Sequence, residues 1–207
     1  MGLSEHALDA NDEWCTPPSL FLPMVWGWGG IDLDPFGHFT SKIPATERWT
    51  LPEKWAAAEG LSDEEWTTLL AAGYVEGDAQ QLEWNGRVFA NGPYSNVAWW
   101  LSRAADAAEQ REAHVIGLIP VRPNNTWWDA YVWRRASAIC WPRKRVTFEG
   151  TQRNGKKGVN APFHVCLPYY GNEATVFGFM YEHIGHIQIL RPQTLPFRSE
   201  LLQHLQR

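Results

Sequence analysis

Asn91-Gly92-Pro93-Tyr94 is the stretch whose residue types and order best suit a chemical step. Asn91 carries a side-chain amide oxygen, and the Gly92 carbonyl gives a second acceptor one peptide on. Pro93 stiffens the turn that holds both, and Tyr94 sets a flat ring beside them. Two fixed acceptors suit an amine whose lone pair is delocalised into a ring, such as the N6 amine of adenine. Hydrogen bonds from both amine hydrogens favour a pyramidal nitrogen. They also oppose the positive charge that builds as the nitrogen attacks an electrophile. Preorganised contacts of this kind are worth roughly 3–4 kcal/mol each, and a base stacked on the ring adds about 1–3 kcal/mol. No general base is needed before attack, because the aminium formed loses its proton readily. An isolated Asn-Gly pair also makes ordinary tight turns. The flanking elements separate the two readings.

Residues 87–90 read as a strand that runs straight into Asn91, and Ser95 reads as the cap of the helix that follows. In that helix Val97, Trp100, Leu101, Ala104 and Ala108 keep helical spacing. Upstream, Pro17-Pro18 opens a short helix over 19–25, Gly27 to Gly30 make a turn, and residues 31–34 form a short strand closed by Asp34 and Pro35. Ser62 and Glu65 form a capping box for a helix over 62–72 that Gly73 stops. Downstream, 115–119 reads as one buried strand ending at Pro120, and 126–134 as a helix. Strands are expected over 138–141, 146–148 and 163–167, with a basic loop over 150–159. Residues 175–181 suit either strand or helix, and 199–205 a terminal helix.

This order predicts an α/β fold, with a mostly parallel sheet, an antiparallel hairpin at one edge and helices on both faces. Such sheets bind ligands beyond the carboxyl ends of their strands. Asp34-Pro35, Asn91 to Tyr94 and Arg122 all fall at predicted strand ends.

At 207 residues the chain suits one domain, with 1–13 as a polar leader and 191–207 as a C-terminal extension. The 13 Trp exceed what a core of this size requires, and several sit in or beside the motifs, where indole faces suit purines as well as packing. The net charge of −5 argues against a nucleic-acid partner until its distribution is read. Residues 1–83 hold 15 Asp/Glu against 3 Lys/Arg, whereas 134–157 hold 8 Lys/Arg against Glu149 alone. Arg143, Lys144, Arg145, Arg153, Lys156 and Lys157 in that stretch form a candidate phosphate track, with a solvated surface loop as the plainer alternative. No apolar run approaches the ~20 residues of a membrane span, and no signal-peptide core is visible. Cys15, Cys140 and Cys166 are widely spaced, as in a reducing compartment. A cytoplasmic protein with no membrane partner is expected. His183 and His186 lack further ligands at metal-site spacing, so no metal is expected.

The motifs also carry a resemblance. Asp12-Glu13-Trp14-Cys15-Thr16-Pro17, Asp32-Leu33-Asp34-Pro35 and Asn91-Gly92-Pro93-Tyr94-Ser95 occur in that order. They are followed by Leu118 to Arg122, Trp127-Trp128, Arg145 to Phe148 and Ala161-Pro162-Phe163. This succession, over roughly 12–168, resembles the phage-type DNA N6-adenine methyltransferase (Dam-like) family, whose members show D-E-W-x-T-P, D-L-D-P and N-P-P-Y-S. The resemblance implies a Rossmann-like class I methyltransferase fold that binds S-adenosylmethionine and acts on DNA in a bacterial or phage-infected cell. It implies that Trp14, Thr16 and Pro17 lie along the cofactor and that Asp34, Pro35 and Phe36 form its loop. Asp34 would face the methionine ammonium, and Asp78 would border the adenosyl pocket. Arg122, Trp127 and the basic track would hold DNA.

Two features depart from the family pattern. Gly92 stands where the family has Pro, which leaves the turn without a fixed φ. The cofactor loop lacks a Gly-x-Gly, so close backbone approach would rest on Gly37. Two other readings keep the fold. One is a DNA-binding relative in which Gly92 marks lost chemistry. The other is an enzyme whose acceptor is a protein glutamine.

Overall fold

The computed structural model describes residues 15–39, 41–51, 61–151, 157–161 and 163–191. Eleven strands alternate with helices: β1 (Ile31–Asp34), β2 (Ala45–Thr50), β3 (Tyr74–Glu76), β4 (Arg87–Ala90), β5 (His114–Gly117), β6 (Ile119–Pro120), β7 (Ala138–Pro142), β8 (Thr147–Thr151), β9 (Lys157–Asn160), β10 (Val165–Tyr170) and β11 (Gly185–Ile189). The helices are α1 (Pro18–Trp28), α2 (Asp63–Ala71), α3 (Val97–Arg111) and α4 (Ala174–Tyr181). Nine strands form one sheet in the order β11-β7-β10-β5-β4-β1-β2-β3, with β6 paired to β10. The five strands from β3 to β5 are mutually parallel. Strand β10 runs antiparallel between β5 and β7, and β11 runs antiparallel to β7 at the edge. The fold is therefore the mostly parallel α/β sheet expected of the sequence, with its antiparallel part at one side.

Neighbouring strand residues point to opposite faces, so each central strand feeds two cores. Phe89, Ile116, Cys140 and Leu167 join α1 and α4 in one cluster. Their chain neighbours Val88, Ala90, Val115, Ile139 and Cys166 join α3 and Trp128 in the other. Burial on both faces explains why these strands read as continuous apolar runs. Helix α3 buries the stripe formed by Val97, Trp100, Leu101 and Ala104. Burying side chains of this size stabilises by about 1.5–3 kcal/mol each.

Several boundaries differ from the sequence expectation. Helix α1 runs past residue 25 to Trp28 and keeps Pro23 inside, until Gly29 ends it at φ 80°. Ser95 does not cap α3. It lies in a 3₁₀ turn, Tyr94–Asn96, and Asn96 precedes the helix without a side-chain cap. The predicted strand over 115–119 is divided at Leu118, whose N–H returns to the Ala90 carbonyl at 2.9 Å. Residues Trp128–Trp133 form a wide π-type turn rather than an α-helix, closed by Arg134 N to Asp129 O at 3.2 Å. The segment 175–181 resolves as helix α4. The capping box at Ser62 is present as read. The two ends of the expected basic loop belong to strands β8 and β9, with Phe148 opposite Val159 and Thr151 opposite Lys157, and its residues 152–156 lie outside the described residues. Strands β2, β3 and β11 were not foreseen. The leader 1–13, Trp14, Arg153, Lys156 and the helix over 199–205 lie outside the described residues.

Candidate active site

The strand order changes direction between β1 and β4. From β1 the chain moves outward to β2 and β3, and from β4 it moves the other way to β5. A cleft opens at such a switch point, at the carboxyl ends of the two strands. Asp34 ends β1 and Asn91 follows β4, so topology brings together two segments more than fifty residues apart in sequence.

Thr16 organises the acceptor turn. Its hydroxyl accepts a hydrogen bond from Asn91 Nδ2 at 3.1 Å, across 75 residues of sequence. Thr16 is buried, so this contact fixes the amide with Oδ1 turned away. Among the described residues no donor engages that oxygen. Pro93 follows, and its carbonyl accepts from Trp100 Nε1 at 3.3 Å and from Asn96 N at 3.2 Å. The turn is thereby tied to α3.

The Tyr94 ring packs edge-on against Phe163, 5.4 Å between centroids. Its hydroxyl is buried with no hydrogen-bond partner among the described residues, and desolvation pushes its pKa up. An unsatisfied hydroxyl costs about 1–3 kcal/mol. Tyr94→Phe is therefore expected to raise the unfolding midpoint, which a thermal melt checks; a lower midpoint would mean that the hydroxyl has a partner.

The loop after β1 is built on Asp34. Its Oδ1 accepts from Phe36 N at 3.1 Å and its Oδ2 from Ser41 Oγ at 3.2 Å. The residue is only 2% exposed. Burial raises its pKa to about 6, against the opposing pull of Phe36 N–H, Ser41 O–H and the Arg48 charge. Asp34 thus shapes the loop from the carboxyl end of β1. Arg48 and Tyr74, which sequence reasoning missed because β2 and β3 were missed, support the same loop. The Arg48 Nε donates to the Ile43 carbonyl at 2.7 Å, and the Tyr74 hydroxyl to the His38 and Ser41 carbonyls at 3.0 and 3.2 Å. Gly37 has another use than the one expected from sequence. A Cβ there would meet Arg48 Cβ at 2.8 Å, so its bareness lets the loop pack on β2.

Phe36 projects into an aromatic cluster, with ring centroids 5.6 Å from Trp84, 5.9 Å from Trp99 and 5.8 Å from Trp100. Asp78 lies beyond β3 on the same edge of the sheet. Its carboxylate is occupied by Gln80 N at 2.8 Å and Gln81 Nε2 at 3.0 Å. That turn carries Trp84, whose indole N–H donates to the Ala79 carbonyl at 3.1 Å. Asp78 therefore reaches the cluster through the fold of its own turn.

The basic residues divide into two groups. Arg135 pairs with Asp106 and Glu109, and Arg134 with Asp129, each at 2.7 Å. Arg143 Nη1 donates to the Glu182 carbonyl at 2.8 Å, at the end of α4. Lys144 and Arg145 are exposed, as is Arg122, whose guanidinium lies 6.0 Å from the Phe163 ring. Trp127 is half-buried against Trp128, 5.5 Å between centroids. Strand β7 points the same way as β5, and β10 the opposite way. The β8–β9 ribbon joins the end of β7 to the start of β10, so it emerges on the sheet edge that carries Asn91. Lys157 begins β9 on that ribbon. Phe163, which the sequence placed in a motif block but gave no role, lies between Arg122 and Tyr94.

This arrangement was compared with known proteins. The family profile described as DNA N-6-adenine-methyltransferase (Dam) matches residues 4–169. The chain belongs to that family. The match spans the cleft, the acceptor turn and the β8–β9 ribbon, so the protein is a methyltransferase. Its fold is similar to a Pyrococcus horikoshii protein described as an RNA methyltransferase, at 14% identity over 77% of this chain and 87% of that one, TM-score 0.47. It is also similar to TrmN from Thermus thermophilus, at 14% identity over 72% of this chain and 47% of that one, TM-score 0.35. No curated protein matches the chain significantly. No helix among the described residues is long and apolar enough to cross a membrane.

Proposed function

We propose that the chain is a single domain, residues 1–207, that transfers a methyl group from S-adenosylmethionine to N6 of adenine in DNA. The observation that carries this reading is the Asn91 amide at the switch point, held by Thr16 with Oδ1 unengaged among the described residues. Asn91 Oδ1 and the Gly92 carbonyl accept the two hydrogens of the adenine amine. The Asn91 amide nitrogen is taken up by Thr16, which leaves Oδ1 as the group offered to the base. The Tyr94 ring, steadied by Phe163, faces the base, which is rotated out of the duplex at a cost of a few kcal/mol. The proton released from the methylated nitrogen goes to water.

The residues at the cleft fit the cofactor. A buried carboxylate at Asp34 suits an ammonium group, and the Phe36 aromatic cluster suits a purine face. Thr16, Pro17, Asp34, Pro35 and Phe36 would hold it, with Asp78 shaping the far wall; Trp14, assigned to the same group from the sequence, lies outside the described residues. When bound, S-adenosylmethionine supplies an electrophilic methyl on sulfonium sulfur.

Arg122, Trp127, Lys144 and Arg145 would meet the DNA backbone, together with Lys157 at the start of β9; Arg153 and Lys156, assigned to the same contact from the sequence, lie outside the described residues. Arg143 shapes that path through its bond to Glu182. Replacing both Lys144 and Arg145 with glutamine should lower the log–log salt slope of DNA binding by about two. Fluorescence anisotropy across a salt series measures it, and an unchanged slope would return both side chains to solvent.

The central test incubates the protein with tritiated S-adenosylmethionine and unmodified DNA and analyses the nucleosides. Label in N6-methyladenine is expected. Label in cytosine or in protein, or none at all, would refute the proposed reaction.

A further inference from the structure

Gly92 has no conformational need to be glycine. The left-handed glycines are Gly29, Gly30, Gly73, Gly86 and Gly171, and Gly92 is not among them. Space is what it supplies. A Cβ at position 92 would lie 2.7, 2.8 and 3.0 Å from the Cε2, Cζ and Cδ2 atoms of Phe36. Real side-chain carbons essentially never come that close, so the ring occupies the place that a side chain at 92 would take. The ring has little freedom to retreat. Trp84, Trp99 and Trp100 surround it at 5.6–5.9 Å. Of these, Trp84 is pinned to the Ala79 carbonyl and Trp100 to the Pro93 carbonyl.

We infer that Phe36 is a positioning residue whose ring, seated on Gly92, locks the acceptor turn to the loop after β1. The backbone N–H of Phe36 is bonded to Asp34 and its ring rests on Gly92. A shift of the loop therefore moves the turn, because close-packed interiors transmit displacement instead of absorbing it. Gly92 is accordingly a packing match to Phe36 and not a mark of lost chemistry. The bulkier residue usual in the family would require a smaller or displaced side chain at 36. This inference builds on the proposed function, since it names how one half of that site sets the other.

The test is a double-mutant cycle on the full chain: wild type, Gly92→Pro, Phe36→Ala and the pair combined, with Gly92→Ala as a milder second probe. Three quantities are read: the melting temperature without ligand, the affinity for S-adenosylhomocysteine by calorimetry, and kcat and KM on DNA. Gly92→Pro should lower the melting temperature, weaken S-adenosylhomocysteine binding by about tenfold, and reduce kcat far more than it changes KM. Adding Phe36→Ala should restore all three to within about threefold, or a few degrees, of Phe36→Ala alone, which is the non-additivity of contacting residues. A wild-type-like Gly92→Pro, or effects that simply add, would overturn the inference. If Gly92→Pro does not fold, Gly92→Ala replaces it under the same criteria. Were wild type to methylate nothing, the proposed reaction would fall, and the melting and binding cycles would still decide whether the two residues are coupled.

Discussion

Replacing Asn91 with alanine is expected to lower kcat for methyl transfer by about 10²–10³-fold, the loss seen when one preorganised partner of a developing charge is removed. Affinity for S-adenosylhomocysteine should stay within about threefold, because Asn91 is bound to Thr16 and acts on the acceptor side of the cleft. The same geometry ranks a second variant. Thr16→Val keeps the volume but removes the hydrogen bond that tethers the Asn91 amide, so its loss in kcat should be smaller, about tenfold, with any loss of cofactor affinity read separately. Single-turnover kinetics with labelled cofactor separate these outcomes from weakened binding. An Asn91→Ala protein that turns over normally would remove Asn91 from the chemistry, and with it the proposed reaction.

The second large effect concerns Asp34 and runs in opposite directions for stability and binding. Its carboxyl titrates near 6 in the fold, above the ordinary value of about 3.9 for an unfolded chain. Between these two values the folded state holds more protons than the unfolded one, so stability falls as pH rises through that window. Below about pH 4 the acid is protonated in both states and there is no penalty. Above the folded value the buried charge carries its full cost, on the order of 3 kcal/mol at most. Asp34→Asn should therefore raise the melting temperature of the ligand-free protein at pH 8, and the gain should vanish near pH 4. An asparagine can still accept from Phe36 N and leave Ser41 a partner, so the loop bonds survive. Cofactor affinity should drop by about 10- to 100-fold, the value of one charged hydrogen bond. A variant that is less stable at pH 8, or that binds S-adenosylhomocysteine as wild type does, would show that the carboxylate serves the loop alone.

These expectations rest on features of unequal visibility in the sequence. The Asn91–Tyr94 turn was legible because a strand pattern precedes it and a helical pattern follows, and both are written in residues close by. The strand ending at Asp34 was legible for the same reason, and so was the capping box at Ser62. Strand β2 was not. Its residues Ala45-Thr46-Glu47-Arg48-Trp49-Thr50 are half polar, and parallel pairing with β1 leaves no turn signature between them. Losing β2 concealed Arg48, and losing β3 concealed Tyr74, which together support the loop that Asp34 begins. Ser95 was misread as a cap because its residue type permits that role, while the 3₁₀ turn displaced the helix start by one residue.

Residue types and local spacing thus determined that the chain alternates strand and helix, that an acid and an Asn-containing turn end two of its strands, and which order of motifs it carries. Those properties depend on neighbours within a few positions, where backbone preference and periodic burial leave a readable mark. Only the folded chain decided that Thr16 bonds the Asn91 amide, that Phe36 fills the space above Gly92, and that Arg143 and Arg135 bond groups of the chain itself. Each of these is a contact between segments far apart in sequence that the fold brings together. Close packing and hydrogen-bond direction act through space, so such contacts leave no periodic trace along the chain.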